Sequence, residues 1–390
     1  MASIRPQKRE VSFLFLLVVV HFIAGVAFYA YTSNGVTDSQ NYFEWSSDSS
    51  RFSVTGSGLI VAIVAGLRGV GVDDYYAVLM IFTGLSAWGI CAAYASIVRE
   101  VQDQPRGKRG RLILRLCVLL PGLHFWTAAV GKDAIVEFTY GLLFIGLIRS
   151  GKSRILLIGL CILILFLVRP YLGFCMGMTF FGFALVTQTK SFSVNARVLS
   201  RIFILLVGAV AAISFYVFFL SYIQKYSSDG FQSLADFEQS REGIYAGVGS
   251  GFDASQYPFP VRFGIFLLGG IPWRLSKVGE VFAMGEGFVT CLLLIAGSRY
   301  LWLVRRIGSS REYQIPLTLS RYALIYSMVL AAVLTLGATN LGIIARQRIM
   351  VYLPLVACFY MSRRAYFSAV QAVRYEGLLV DVAEGRFRVK

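Results

Sequence analysis

A chain of 390 residues that is 57% hydrophobic and only 15% charged, with a mean hydropathy of +0.67, carries more apolar surface than a soluble core of that size hides. Its net charge of +16 is scattered between apolar blocks. This argues against a nucleic-acid partner and fits Lys and Arg collecting in short cytoplasmic loops. Six cysteines lie inside apolar runs without ligand spacing and there are only two histidines, His21 and His124, so neither a disulfide framework nor a His-built metal centre is expected.

The apolar blocks run to roughly 16 to 22 residues, about the length that crosses a hydrocarbon core as a helix. The expected fold class is therefore all-α: a polytopic membrane helical bundle of about ten transmembrane helices, with interfacial or re-entrant segments. Arg5, Lys8 and Arg9 precede the apolar run 11–31, which reads as an uncleaved signal-anchor entering from the cytoplasm. Residues 32–55 then form an outer polar segment. Residues 59–72 are short and interrupted by Arg68. A crossing there would deliver the basic cluster at 99–115 to the outside, so a half-span or interfacial helix is expected.

Spans follow at 75–98, 112–130, 134–148, 155–168 and 172–187, with Gly131-Lys132-Asp133 as an external turn. Pro170 disfavours helix at Arg169, which marks a break between two spans at the outer side. Residues 202–222 lead outward into the longest polar segment, 223–262. Residues 263–284 contain Gly269, Gly270 and Pro272 and suit a re-entrant segment. The chain returns at 287–304 and goes out at 322–336. It turns at 340–348 and ends with 349–361 and a basic tail. The domain reading is one transmembrane unit over 1–362, with outer loops near 32–58 and 223–285, and a basic cytoplasmic tail at 363–390. Both termini are expected in the cytoplasm.

This topology brings Asp38, Tyr42, Lys132, Asp133, Arg169, Arg346 and Arg348 to one outer rim. Ionisable groups at the ends of apolar helices are costly to desolvate and are held there by pairing or function. Each also has a structural alternative. Lys132 and Asp133 can cap a helix, Arg169 can snorkel to lipid phosphate, Arg346 and Arg348 can form structural ion pairs, and Asp38 can be a solvated loop acid. The chemical reading is that arginine matches phosphate oxygens while Asp38 or Asp133 acts as general base on an acceptor hydroxyl. Lys132, Arg169, Arg346, Arg348 and Tyr42 would then hold phosphate or glycan. No cofactor is required, and a carboxylate-bound divalent cation remains an open alternative.

The order Asp38-Ser39-x-x-Tyr42, Pro121-x-x-x-Phe125-Trp126, Gly131-Lys132-Asp133, Val168-Arg169-Pro170-Tyr171, Asn340-Leu341-Gly342 and Arg346-x-Arg348 resembles bacterial O-antigen and exopolysaccharide polymerases. It is similar also to polytopic glycosyltransferases with polyprenyl-linked donors. The resemblance implies an outer-face reaction on undecaprenyl-linked saccharide, with Asp38 as the first-loop acid and Arg169, Arg346 and Arg348 as the substrate-holding arginines. The implied partners are a polyprenyl-linked saccharide, membrane lipids and other polysaccharide-assembly proteins, with no nucleic acid. A transporter or flippase of a lipid-linked anionic saccharide is the alternative, together with a non-catalytic scaffold. Against the transporter stands the expectation that no acid or base besides Arg68 lies near the middle of a span.

Overall fold

The computed structural model describes residues 8–33, 37–101, 107–148, 152–187, 254, 257–270, 278–307, 314–337 and 341–383. The expected span 202–222, nearly all of the polar segment 223–262, residues Pro272, Trp273, Arg274 and Lys277, and Asn340 lie outside them. The described residues are helical, without a strand. Five helices are long and apolar enough to cross a membrane. These are α1 (Lys8–Thr32), α4 (Tyr75–Val101), α11 (Val278–Ile307), α12 (Gln314–Gly337) and α13 (Leu341–Ala383). Between them lie the shorter α2 (Asp38–Glu44), α3 (Gly56–Gly69), α5 (Gly107–Val118), α6 (Pro121–Thr127), α7 (Lys132–Ile148), α8 (Lys152–Val168), α9 (Pro170–Thr187) and α10 (Phe259–Leu268).

α3 has 14 residues, a rise of about 21 Å, too short to cross alone. Its terminal Arg68 bonds Ser46 and Ser47 (2.9 and 2.8 Å) and pairs with Asp73 (3.3 Å). At the other end of the bundle, Glu10 of α1 is buried. It accepts from Tyr94 Oη at 2.6 Å and pairs with Arg111 and Arg115 at 3.4 and 3.3 Å. These contacts set the N-terminus of α1 beside the C-terminal half of α4 and the basic α5, so the two long helices run antiparallel.

Three expectations change here. Residues 112–130 are not one span: α5 ends at Val118 and Pro121 begins the separate α6. Pro121 supplies no amide hydrogen and its fixed φ suits the first helical turn. The turn at Gly131-Lys132-Asp133 is not external either. Thr83 Oγ1 donates to Ala128 O (2.9 Å), and a Cβ on Gly89 would run into the carbonyl of Glu137, so the turn is packed against α4 between the levels of Thr83 and Gly89. His21 and His124 meet at the same depth, with Nδ1 to Nδ1 at 3.0 Å. His124 Nε2 must donate to Val118 O (2.8 Å), which leaves its Nδ1 to accept from His21, and Ser86 donates to His21 Nε2 (2.7 Å). Finally, residues 341–348 are not a turn. They are the first two turns of α13, which also continues past the expected boundary at 362, packing Ala365 and Ala369 against Leu301, Val304 and Leu317.

Depth along the bundle follows from α13. Tyr352 Oη donates to Cys117 O (3.0 Å) and Tyr360 Oη to Gly110 O (2.9 Å). Arg346 therefore stands about 21 Å above the start of α5, at the usual helical rise.

The α4–α7 contact is close because Gly89 lies against the backbone of Glu137 and Phe138, and Gly141 against that of Gly89. Gly89→Ala should lower stability by about 1–3 kcal/mol through overpacking, read as a lower Tm of the detergent-purified protein. Gly66→Ala, on α3 with nothing within 4 Å, should leave Tm unchanged or slightly raised.

Candidate functional site

Asp133 is the second residue of α7, where the positive end of the helix favours a carboxylate. It is buried, at 5% side-chain exposure, and each oxygen is taken by a different arginine. Arg169 Nη2 donates to Oδ1, and Arg346 Nε donates to Oδ2. Each arginine arrives from a specific local device. Arg169 sits at the break that Pro170 forces between α8 and α9, and its carbonyl caps α9 by accepting from Leu172 N at 2.8 Å. Arg346 projects from the second turn of α13.

Asp38 opens α2, whose first turn is capped by Thr37, the Oγ1 of which accepts from Gln40 N. Its neighbour Ser39 accepts from Tyr75 Oη and from Val130 N, both at 3.0 Å, and so ties α2 to α4 and to the turn before α7. Asp38 Oδ2 then takes a second donor of Arg346, Nη1, at 3.1 Å. The result is a chain Asp38–Arg346–Asp133–Arg169, ending on Tyr171 Oη at 2.6 Å. Exposure grades along it, from 62% at Asp38 through 25% at Arg346 to 11% at Arg169.

Tyr42, one turn on from Asp38, is buried against the Gly131 turn. Burial, and then the adjacent Asp38 carboxylate, push its hydroxyl above the usual phenol range, so it stays protonated. Lys132 is half-buried within electrostatic reach of Arg169, Asp133, Arg346 and Asp38. Three cations thus converge on two carboxylates, an arrangement with an excess of positive charge. Arg169 Nε is buried without a partner.

Six of the seven residues selected from the sequence meet here, and Arg348 does not. Two positions along a helix turn the side chain about 200°, which sends Arg348 to the opposite face of α13. There it pairs with Glu286 of α11 (3.6 Å) and donates from Nη2 to Ala283 O at 2.6 Å. Gly269, in the left-handed region at φ +78, makes room for it, since a Cβ at that position would strike the guanidinium. Glu286 also accepts from Gly122 N at the start of α6.

Glu137 was missed, although the apolar run around it was noticed. It is one turn below Asp133, buried at 1% exposure, and neither carboxyl oxygen has a hydrogen-bond partner. Glu137, Glu286 and Arg348 are all buried within the first three turns of their helices. The signal was available as an acid five residues into an apolar helix. Among the described residues no three of His, Cys, Asp and Glu converge as a metal site, and the two site carboxylates share the Arg346 guanidinium instead. Compared with protein-family models, curated proteins and solved structures, the chain matches none.

The geometry divides the two acids by role. Asp133 has both oxygens engaged in a dry setting and positions the arginines; Asp38 has one ion pair and an open side. Removing the charge of Asp133 leaves the Arg169 guanidinium without a counter-ion and Arg346 with Asp38 alone, so Asp133→Asn should cost about 3–5 kcal/mol. Asp38→Asn should cost under about 1 kcal/mol, as exposed pairs do. Thermal unfolding of the two purified variants beside the parent protein measures both.

Proposed function

We propose that the chain is a membrane glycosyltransferase of the polysaccharide-polymerase kind, which moves glycan units from a polyprenyl-phosphate or pyrophosphate carrier at the outer face of a bacterial inner membrane. The observation that carries this reading is the convergence of Asp38, Lys132, Asp133, Arg169 and Arg346, from four chain-distant segments, into one graded site open at Asp38. About ten spans, cytoplasmic termini and contact with lipids and other polysaccharide-assembly proteins belong to the same proposal.

In this reading the donor phosphate enters beside Arg346 and Lys132 and displaces Asp38 from the Arg346 Nη1 donor. The freed Asp38 carboxylate takes the proton of an acceptor hydroxyl. That oxygen bonds to the anomeric carbon, while the bond from that carbon to the carrier phosphate oxygen breaks. The electron pair leaves on the phosphate, where the arginine fork and the Lys132 ammonium hold the charge. Asp133 touches no reactant and keeps Arg169 and Arg346 oriented. Tyr171 lies at the same end, where a sugar face can stack, and Tyr42 supports the turn beneath it.

A second reading has specific support of its own. A flippase of a lipid-linked anionic saccharide needs ionisable groups within the bundle, and Glu137, Glu286 and Arg348 are buried there. Reconstituted protein that translocates such a substrate without forming a new glycosidic bond would favour it.

The discriminating variant is Asp38→Asn, which leaves the buried network intact. Polymer formation in a reconstituted assay with polyprenyl-linked oligosaccharide should fall about 10²- to 10⁴-fold, the usual worth of a general base, at unchanged protein level. Arg346→Ala should abolish it. An unaltered polymer length distribution in both variants would sink the proposal.

A further inference from the structure

A carboxyl group that is fully buried with no donor on either oxygen is the costliest way to keep a negative charge in a protein. Glu137 is in that position, 1% exposed with both Oε1 and Oε2 unpartnered. Among the described residues its surroundings offer no counter-charge. α4 presents the bare backbone of Gly89 at this level. The Cys161 thiol of α8 is directed to Thr139 O at 3.6 Å, and His124 of α6 is engaged by Val118 O and His21. Tyr140, the next polar group along the same face of α7, donates to Met350 O of α13 at 2.8 Å and meets Tyr326 of α12 at 3.0 Å.

The charged group that bears on Glu137 among the described residues is Asp133, four positions earlier and so one turn away on the same face. Asp133 is supplied with two guanidinium groups. One carboxylate of the pair is therefore compensated twice and the other not at all. Two acids this close in a dry interior do not both ionise.

We propose that Asp133 and Glu137 together form a binding site for one proton, held on Glu137 while Asp133 faces Arg169 and Arg346. The ligand is the proton itself, and the pair carries a single negative charge in total. Transfer of that proton to Asp133 would conserve both proton and charge, and becomes favourable whenever an arginine is drawn away. The site does not depend on which substrate the outer rim receives.

Infrared spectroscopy of the full chain in nanodiscs tests this directly. The wild-type minus Glu137→Gln difference spectrum at neutral pH should contain the carbonyl stretch of a protonated acid, above the amide I band. As the pH rises the band should give way to carboxylate stretches. A difference spectrum with carboxylate stretches alone at neutral pH would overturn the proposal.

Wild-type protein treated with dicyclohexylcarbodiimide supplies a second readout that needs no variant. A protonated carboxyl adds across one C=N bond and the acyl group then migrates to nitrogen, leaving an N-acylurea with nothing expelled. Trypsin cuts after Lys132 and Arg149, and the peptide between them contains two acids, Asp133 and Glu137. Fragmentation should place the adduct on Glu137, with less of it at higher pH. An adduct on Asp133, or none on this peptide, counts against the site.

Discussion

The structure turns on the cost of Asp133. A carboxylate at 5% exposure, packed against the apolar 27-residue α4 one helical turn from the level of Gly89, is tolerated because two guanidinium groups and a helix N-terminus converge on it. That requirement fixes the register of three segments at once. α7 must begin beside α4, the chain must break between α8 and α9 so that Arg169 points inward, and α13 must present its second turn to the same point. Asp38 is attached to this core through the remaining donors of Arg346, so the outermost acid is positioned by the innermost one.

Much of this was legible in the sequence, because charge in an apolar chain is sparse and therefore informative. Asp38, Lys132, Asp133, Arg169 and Arg346 could be selected since each interrupts or ends an apolar block, and the positive-inside rule sends them to one end. Pro170 announced the break that exposes Arg169. What hydropathy does not encode is depth. A Gly-Lys-Asp turn between apolar runs reads as a surface turn, yet a hydrogen bond from Thr83 to Ala128 O and one from Val130 N to Ser39 hold the segment leading into this one within the bundle. The same blindness put Arg346 and Arg348 in a turn. With helical geometry they part to opposite faces of α13, and only one reaches the site.

Glu137 is harder to find for a related reason, and Glu286 reads from the sequence as a weaker candidate at the flank of the re-entrant stretch. A single acid barely lowers the mean hydropathy of a 17- or 30-residue helix, so a search for polar interruptions does not see it. Physically, such an acid is more informative than a loop charge, because the helix gives it no route to water. Among the described residues two polar centres accordingly flank α13 on opposite faces, one built around Asp133 and one around Glu286 and Arg348.

The spacing of the Asp133 partners along the chain also has a consequence for synthesis. Arg169 follows 36 residues later, but Arg346 follows 213 residues later. At translation rates of about 5–20 residues per second, the acid spends on the order of 10–40 s in the inserting chain with one counter-ion of the two. During that interval the half-made bundle holds an incompletely neutralised group, and the arrival of α13 completes its pairing. A chain halted before α13 therefore lacks one of the two cations that neutralise Asp133.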